Sequence, residues 1–215
     1  MHIPDGILPG GVCAAGYAAA GVATAVSLAV VRRQADPHQV VPRASTLTAV
    51  FFVASWIHVP SPPTSVHRVL NGLLGVVLGP VAFLAILVGL FFQAVLFQHG
   101  GLTTFGVNAT LMGLPALAVG ALFGLGARLW VGSRRWAAVF GFFGGSLATV
   151  LSALGFAVVL VTTVPAGLDP SLRSAGVAAL TLAHLPLAVV EGVFTAMVVL
   201  FLREVQPDLL HGWRR

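Results

Sequence analysis

Met1 and His2 together carry the donor atoms of a metal chelate. The α-amine of Met1, the backbone nitrogen of His2 and Nδ1 of its imidazole can close two fused rings on one ion. These three nitrogens would lie in one plane, which suits Ni(II) or Cu(II) and can suit Co(II), whereas Zn(II) prefers a tetrahedron. The pattern predicts a planar site that needs one more donor. The alternative is that His2 is an exposed terminal residue without a ligand role.

The composition predicts that the elements holding this site lie in a membrane. The chain has 215 residues, of which 58% are hydrophobic and 8% charged, and its mean hydropathy is +0.99. These values are typical of polytopic membrane proteins. The single Cys13 excludes an internal disulfide. No basic segment precedes the first apolar run, so we expect no secretory signal and a retained Met1.

Seven apolar runs predict an all-α membrane protein, with residues 1–215 forming one bundle of about seven transmembrane helices. The third run is shorter than the roughly 20 residues that cross a bilayer, so we expect it to be tilted, partial or buried in protein. Gly79-Pro80 separates it from the fourth run. The runs lie at about 12–31, 43–57, 67–79, 80–98, 107–130, 136–163 and 174–202.

The arginines predict the orientation of this bundle. The chain has no lysine, and its net charge of +5 comes from eleven arginines against six acidic residues. Arg68 and Arg173 fall on one side of the predicted membrane and the other nine on the opposite side. Because positive loops face the cytoplasm, the N-terminus is predicted outside and the C-terminus cytoplasmic. The arginines cluster between apolar runs, so we interpret them as topology signals and expect no nucleic-acid binding.

This topology gathers several polar segments on the outer face, and His67 lies among them. The N-terminal peptide and the loops 58–67 and 99–106 meet there. His67 opens the short third run, so its ring can point into the bundle, and we expect it to be the fourth ligand. Glu191 interrupts a membrane helix seven residues after His184. A buried acid is costly in a membrane, and both a functional role and a helix-to-helix hydrogen bond remain open for it.

Five motifs in order resemble the CbiM/NikM proteins over nearly the whole chain. The motifs are MHIPDGILP at 1–9, TSVH at 64–67, LNGLLG at 70–75, HGGLTT at 99–104 and HLPL at 184–187. The resemblance implies the substrate-capture (S) subunit of a nickel or cobalt energy-coupling factor transporter in a prokaryotic inner membrane. It implies that the N-terminal peptide inserts into the bundle from the outer side. The ligands it implies are the Met1 amine, the amide nitrogen and imidazole of His2, and His67.

The resemblance also implies partners, since capture alone does not move the ion. These are a transmembrane coupling (T) subunit, ATPase (A) subunits and possibly a small accessory membrane protein. Ni(II) or Co(II) would be the transported substrate, and no catalytic residue is expected. Ligating imidazoles need partners that hold their tautomers. The candidates for this supporting role are Ser65, Asn71, His99 and Asn108.

Two other functions compete with capture. An intramembrane zinc enzyme would use His67, His99 and Glu191, but the chain lacks an H-E-x-x-H motif. A self-sufficient secondary transporter or channel could use Glu191 as a proton relay. The chain contains no P-loop, because a P-loop requires a lysine. It therefore cannot hydrolyse ATP by that route itself.

Overall fold

A bundle of α-helices with one short β-hairpin forms the described part of the chain. The computed structural model describes residues 2–33, 40–56, 58–61, 64–67, 69–129, 133–163 and 170–210, with the backbone alone for 58–61, 64–67, 128–129 and 170–174. The helices are α1 Gly10–Arg32, α2 Val40–Ala54, α3 Asn71–Leu78, α4 Ala82–Phe97, α5 Phe105–Leu129, α6 Arg134–Thr163 and α7 Pro170–Val205. The strands are β1 His58–Ser61 and β2 Thr64–His67, and 3-10 segments occupy Gly79–Val81 and Pro207–Leu209.

The outer surface of the bundle is apolar, as expected for a multi-pass membrane protein. Val22, Phe143 and Met197 lie in the middle of helices and expose 60% or more of their surface. Among the described residues, five segments are long and apolar enough to span a membrane, and α2 is shorter at 15 residues. The five are Gly10–Arg32, Asn71–Phe97, Phe105–Ala127, Arg134–Thr163 and Ala175–Val205. The seven crossings expected from the sequence stay a prediction.

The chain reverses direction between α3 and α4. Along α3, Asn71 bonds to Met112 and Gly75 abuts Ala116, so α3 runs parallel to α5. Along α4 the order is opposite, because Phe83 lies against Gly113 whereas Phe91 lies against Phe105. The turn occurs at Gly79, whose φ of 60° and ψ of −128° end the helix. Consequently β2 and the 98–104 loop lie at the same end of the bundle.

Glycines allow the helices of the bundle to approach closely. A Cβ atom at Gly16 would overlap Val107 of α5, and one at Gly75 would overlap the carbonyl of Ala116. One at Gly145 in α6 would overlap the backbone of Glu191 in α7. At these glycines the backbone of one helix directly contacts the neighbouring helix, as small residues allow in membrane proteins. The main core lies between α1, α3, α4 and α5, and it includes Ile3 from the N-terminal peptide.

The hairpin corrects one expectation about His67. The sequence predicts that His67 opens the third helix, but His67 is the last residue of β2 and pairs with His58. The helix begins only at Asn71, because Leu70 adopts a left-handed backbone conformation with φ of 47°. The prolines between 60 and 63 favour extended backbone, which suits a hairpin. His67 therefore belongs to an extended segment that precedes α3 in the chain.

Candidate metal centre

Hydrogen bonds to two side chains of the α5 region fasten the N-terminal peptide. The backbone N–H of Ile3 donates to Oδ1 of Asn108 at 2.9 Å. The carbonyl oxygen of Ile3 accepts from Nδ2 of Asn108 at 3.0 Å and from Oγ1 of Thr104 at 2.6 Å. Ile3 is fully buried, so these bonds satisfy polar groups that water cannot reach. The position of the neighbouring His2 is therefore tied to α5.

Asp5 makes a second attachment, to the loop between α4 and α5. Its carboxylate accepts the backbone N–H groups of Leu102 at 3.1 Å, Thr103 at 2.9 Å and Thr104 at 3.4 Å. It also accepts the hydroxyl of Thr103. This hydroxyl is the main reason why the pKa of Asp5 lies below the usual value, and the backbone bonds act in the same direction against desolvation. The ionised form of Asp5 thus favours the docked peptide.

His2 lies beside His99 at this end of the bundle. The two imidazole centroids are 5.7 Å apart, and the ring planes meet at 67°. Gly100 follows His99 with φ of 83° and approaches His2 closely. A Cβ atom at Gly100 would lie 3.4 Å from Cδ2 of His2 and 3.1 Å from Nδ2 of Asn108. The 98–104 loop and α5 therefore bring three predicted site residues together: His2, His99 and Asn108.

Other predicted site residues cannot be placed in the same way. Met1 and the side chains of Ser65 and His67 lie outside the described residues, so their roles stay predictions. Within the residues whose side chains are described, no three His, Cys, Asp or Glu side chains form a group that could hold a metal ion. The ligand set of Met1, His2 and His67 stays a prediction.

Asn71, another predicted supporting residue, fixes the start of α3. Its Nδ2 donates to the carbonyl of Met112 at 3.0 Å and to Oγ of Ser152 at 2.9 Å. Its Oδ1 is buried and accepts no hydrogen bond from the described residues. Asn71 thus ties α3 to α5 and α6. The orientation of an imidazole by Asn71 stays a prediction.

Two buried polar residues of α7, Glu191 and His184, have distinct local roles. The carboxyl group of Glu191, 2% exposed, accepts the N–H of Val69 at 3.0 Å and that of Leu70 at 3.1 Å. His184 Nδ1 lies 2.7 Å from the carbonyl oxygen of Leu180, which can only accept, so Nδ1 donates its proton to that carbonyl. Of the two roles left open for Glu191, the structure shows hydrogen bonding, which joins α7 to the non-helical segment before α3 instead of to another helix. Sequence reasoning missed that connection, because no periodicity links residues 69 and 191.

Solved structures share this arrangement of helices. A crystal structure of a truncated transition metal transporter superposes with a TM-score of 0.76 and 28% identity, covering 95% of this chain and 99% of that one. A second transition metal transporter structure has the same TM-score and 25% identity, covering 98% and 96% of the two chains. The fold and the polar end described above therefore define a membrane protein of the metal-transporter class.

Sequence comparisons identify the family. Residues 2–209 match CbiM, the cobalt uptake substrate-specific transmembrane region. The cobalt transport protein CbiM of Sorangium cellulosum is 33% identical over 98% of this chain and 94% of its own length. The fused nickel transport protein NikMN of Rhodobacter capsulatus is 35% identical over 98% of this chain, which spans 64% of that protein. The chain belongs to the CbiM family of cobalt and nickel transport proteins, and this is a family of transporters rather than enzymes.

Proposed function

We propose that the chain is the substrate-capture subunit of an energy-coupling factor transporter and captures Ni(II) or Co(II) from outside the cell for ATP-driven uptake. The observation that carries the proposal is the anchoring of Ile3, which is fully buried with both backbone polar groups bonded. Terminal peptides are ordinarily among the least ordered parts of a domain. Ile3 directly follows His2, so its anchoring restricts the positions of Met1 and His2. A chelate built from these two residues requires such a restriction.

The proposed ligands are the α-amine of Met1, the backbone nitrogen and Nδ1 of His2, and the imidazole of His67. The peptide enters the bundle from the outer side, and the bonds of Ile3 to Asn108 support this placement. Coordination by a backbone nitrogen displaces its proton, so binding releases protons and strengthens as pH rises. Planar nitrogen coordination suits Ni(II) and can suit Co(II), so either ion is proposed as the substrate.

We further propose seven membrane-crossing or membrane-embedded helices, with the N-terminus outside and the C-terminus cytoplasmic. The reversal at Gly79 supports this topology, because it makes α3 and α4 separate segments of opposite direction. Arg32, Arg134 and Arg203 lie at the ends of helices that the arginine pattern assigns to the cytoplasm. The membrane would be the inner membrane of a prokaryotic cell.

Release to the inside requires other subunits in this proposal. The chain has no lysine and hence no P-loop, so ATP-driven movement would come from T and A subunits, possibly with a small accessory membrane protein. Small residues on α1 and α2 offer docking surfaces for the T subunit. They are Ala14 and Ala18 on α1 and Ser45 and Ala49 on α2, all exposed.

Uptake of radioactive nickel into proteoliposomes tests the proposal. The chain alone is expected to bind nickel at the vesicle surface without accumulating it. Accumulation of nickel is expected only when a T subunit, ATPase subunits and ATP are also present. Robust accumulation by the chain alone, without ATP, would contradict the capture role and favour a secondary transporter or channel.

A further inference from the structure

Glu191 on α7 binds the backbone just beyond the strand that carries His67. Its carboxyl oxygens Oε1 and Oε2 accept the N–H groups of Val69 at 3.0 Å and Leu70 at 3.1 Å. The side chain is 2% exposed, and Val69 and Leu70 are equally buried. One side chain thus engages two successive peptide groups at the junction between β2 and α3. These N–H groups lie before the first turn of α3, where no intrahelical acceptor exists for them.

The junction itself is held in an unusual conformation. Leu70 has φ of 47°, a region that residues with a side chain adopt only when their surroundings require it. Directly after it, Asn71 donates from Nδ2 to the carbonyl of Met112 and to Oγ of Ser152. Residues 69 to 71 are therefore fastened to α5, α6 and α7 at once. The segment forms a rigid base for the end of β2.

His67 lies two residues before Val69. Because an extended chain advances at most about 3.3 to 3.6 Å per residue, the backbone of His67 lies within about 7 Å of the Val69 N–H group that Glu191 binds. β2 also packs against α7, the helix that carries Glu191. A shift of the carboxyl group would therefore move the end of β2.

We propose that Glu191 is a positioning residue, which sets where β2 presents His67 to the metal ion. This inference rests on the proposed function, because it assumes that His67 is a ligand. The two carboxyl oxygens match two adjacent N–H donors. A glutamine at this position offers one acceptor and turns its NH₂ group toward the second N–H. An aspartate keeps both acceptors but is one methylene shorter, so it pulls the junction toward α7.

The test compares Glu191→Gln and Glu191→Asp with the wild-type protein. Nickel affinity is measured by calorimetry on the full chain in detergent, and the absorption spectrum of bound Ni(II) reports the donor set. Removal of groups that orient a ligand typically weakens metal affinity 10- to 100-fold, and we expect this range for Glu191→Gln. Glu191→Asp should bind more tightly than Glu191→Gln and show a spectrum closer to that of the wild type.

Glu204→Gln is the matched control, since Glu204 lies on the same helix and pairs with Arg134 at 3.3 Å on the exposed surface. This variant should bind nickel as the wild type does. Wild-type affinity and spectrum in both Glu191 variants would overturn the positioning role.

The same measurements separate this inference from the proposed function. A wild-type protein that binds no nickel, or a His67→Ala variant that binds as well as the wild type, would overturn the ligand set itself. Loss of binding in His67→Ala together with intact binding in Glu191→Gln would overturn only the role of Glu191. If Glu191→Gln does not fold, Glu191→Asp is the deciding variant, and its wild-type affinity and spectrum would refute the inference.

Discussion

Replacing Asn108 with alanine removes the acceptor for the backbone N–H of Ile3. That N–H group is fully buried and would be left without a partner, whereas the Ile3 carbonyl would still accept from Thr104. A buried donor left unsatisfied costs about 1 to 3 kcal/mol. If this cost falls on the docked state of the N-terminal peptide, nickel affinity decreases about 5- to 150-fold. The helices should remain folded, because the lost bond lies outside their hydrogen-bond ladders.

Calorimetric titration of Ni(II) into the detergent-solubilised variant provides the measurement. Thr104→Val is a graded comparison, since the Ile3 carbonyl keeps its bond from Asn108 and the loss should be smaller than for Asn108→Ala. Thr149→Val is the control, because it removes a buried hydroxyl bonded to Gly145 within α6 and should leave affinity unchanged. Wild-type affinity in Asn108→Ala would refute the argument that Ile3 anchoring supports the site.

Three further predictions concern the same end of the bundle. Gly100→Ala should weaken nickel binding about tenfold, because φ of 83° disfavours alanine by roughly 1 to 2 kcal/mol and its Cβ would lie only 3.1 Å from Nδ2 of Asn108, which anchors Ile3; calorimetry would measure this, and unchanged affinity would count against a role of this loop in supporting the site. The lowered pKa of Asp5 means that its contribution to docking is fully present above the ordinary value of 3.8 and is lost as pH falls through the lower folded value; hydrogen-exchange protection of the amides of residues 102–104, corrected for the intrinsic exchange rate at each pH, should persist at pH 5 and fall only in stronger acid, and a fall in protection already near pH 5 would contradict the sign. His2→Ala and His67→Ala should each lose bound nickel per chain, while His38→Ala and His211→Ala should retain it because the arginine pattern assigns His38 and His211 to the cytoplasmic side; equal losses in all four would point to unfolding or to a different site.

The apolar runs predicted helices close to those observed, because lipid exposure and helix length leave a strong signal in composition. The run at 107–130 corresponds to α5 Phe105–Leu129, and the run at 136–163 to α6 Arg134–Thr163. Gly79-Pro80 also predicted the break between α3 and α4, since its residue types disfavour helix continuation. What the runs could not settle is the number of crossings, because α3 has only eight residues and α2 only 15.

The local structure around His67 was less accessible to sequence reasoning. An apolar run beginning at 67 resembles a helix start, yet cross-strand pairing with His58 and the positive φ of Leu70 delay the helix to Asn71. The bonds of Glu191 to Val69 and Leu70 span more than 120 residues. No local pattern encodes such contacts, whereas the grouping of His2 with His99 followed from the expected topology.

The contribution of the N-terminal amine is the central claim, and a single added residue tests it. Nickel affinity would be compared between protein that begins at Met1 and protein with one glycine placed before Met1, with thermal unfolding of the metal-free forms as the control for folding. We predict that the protein beginning at Met1 binds one nickel ion with the spectrum of a planar nitrogen site, and that the extended protein loses high-affinity binding without a change in unfolding temperature. Equal affinity and an equal spectrum in the two proteins would contradict the account, because the α-amine could not then be a ligand.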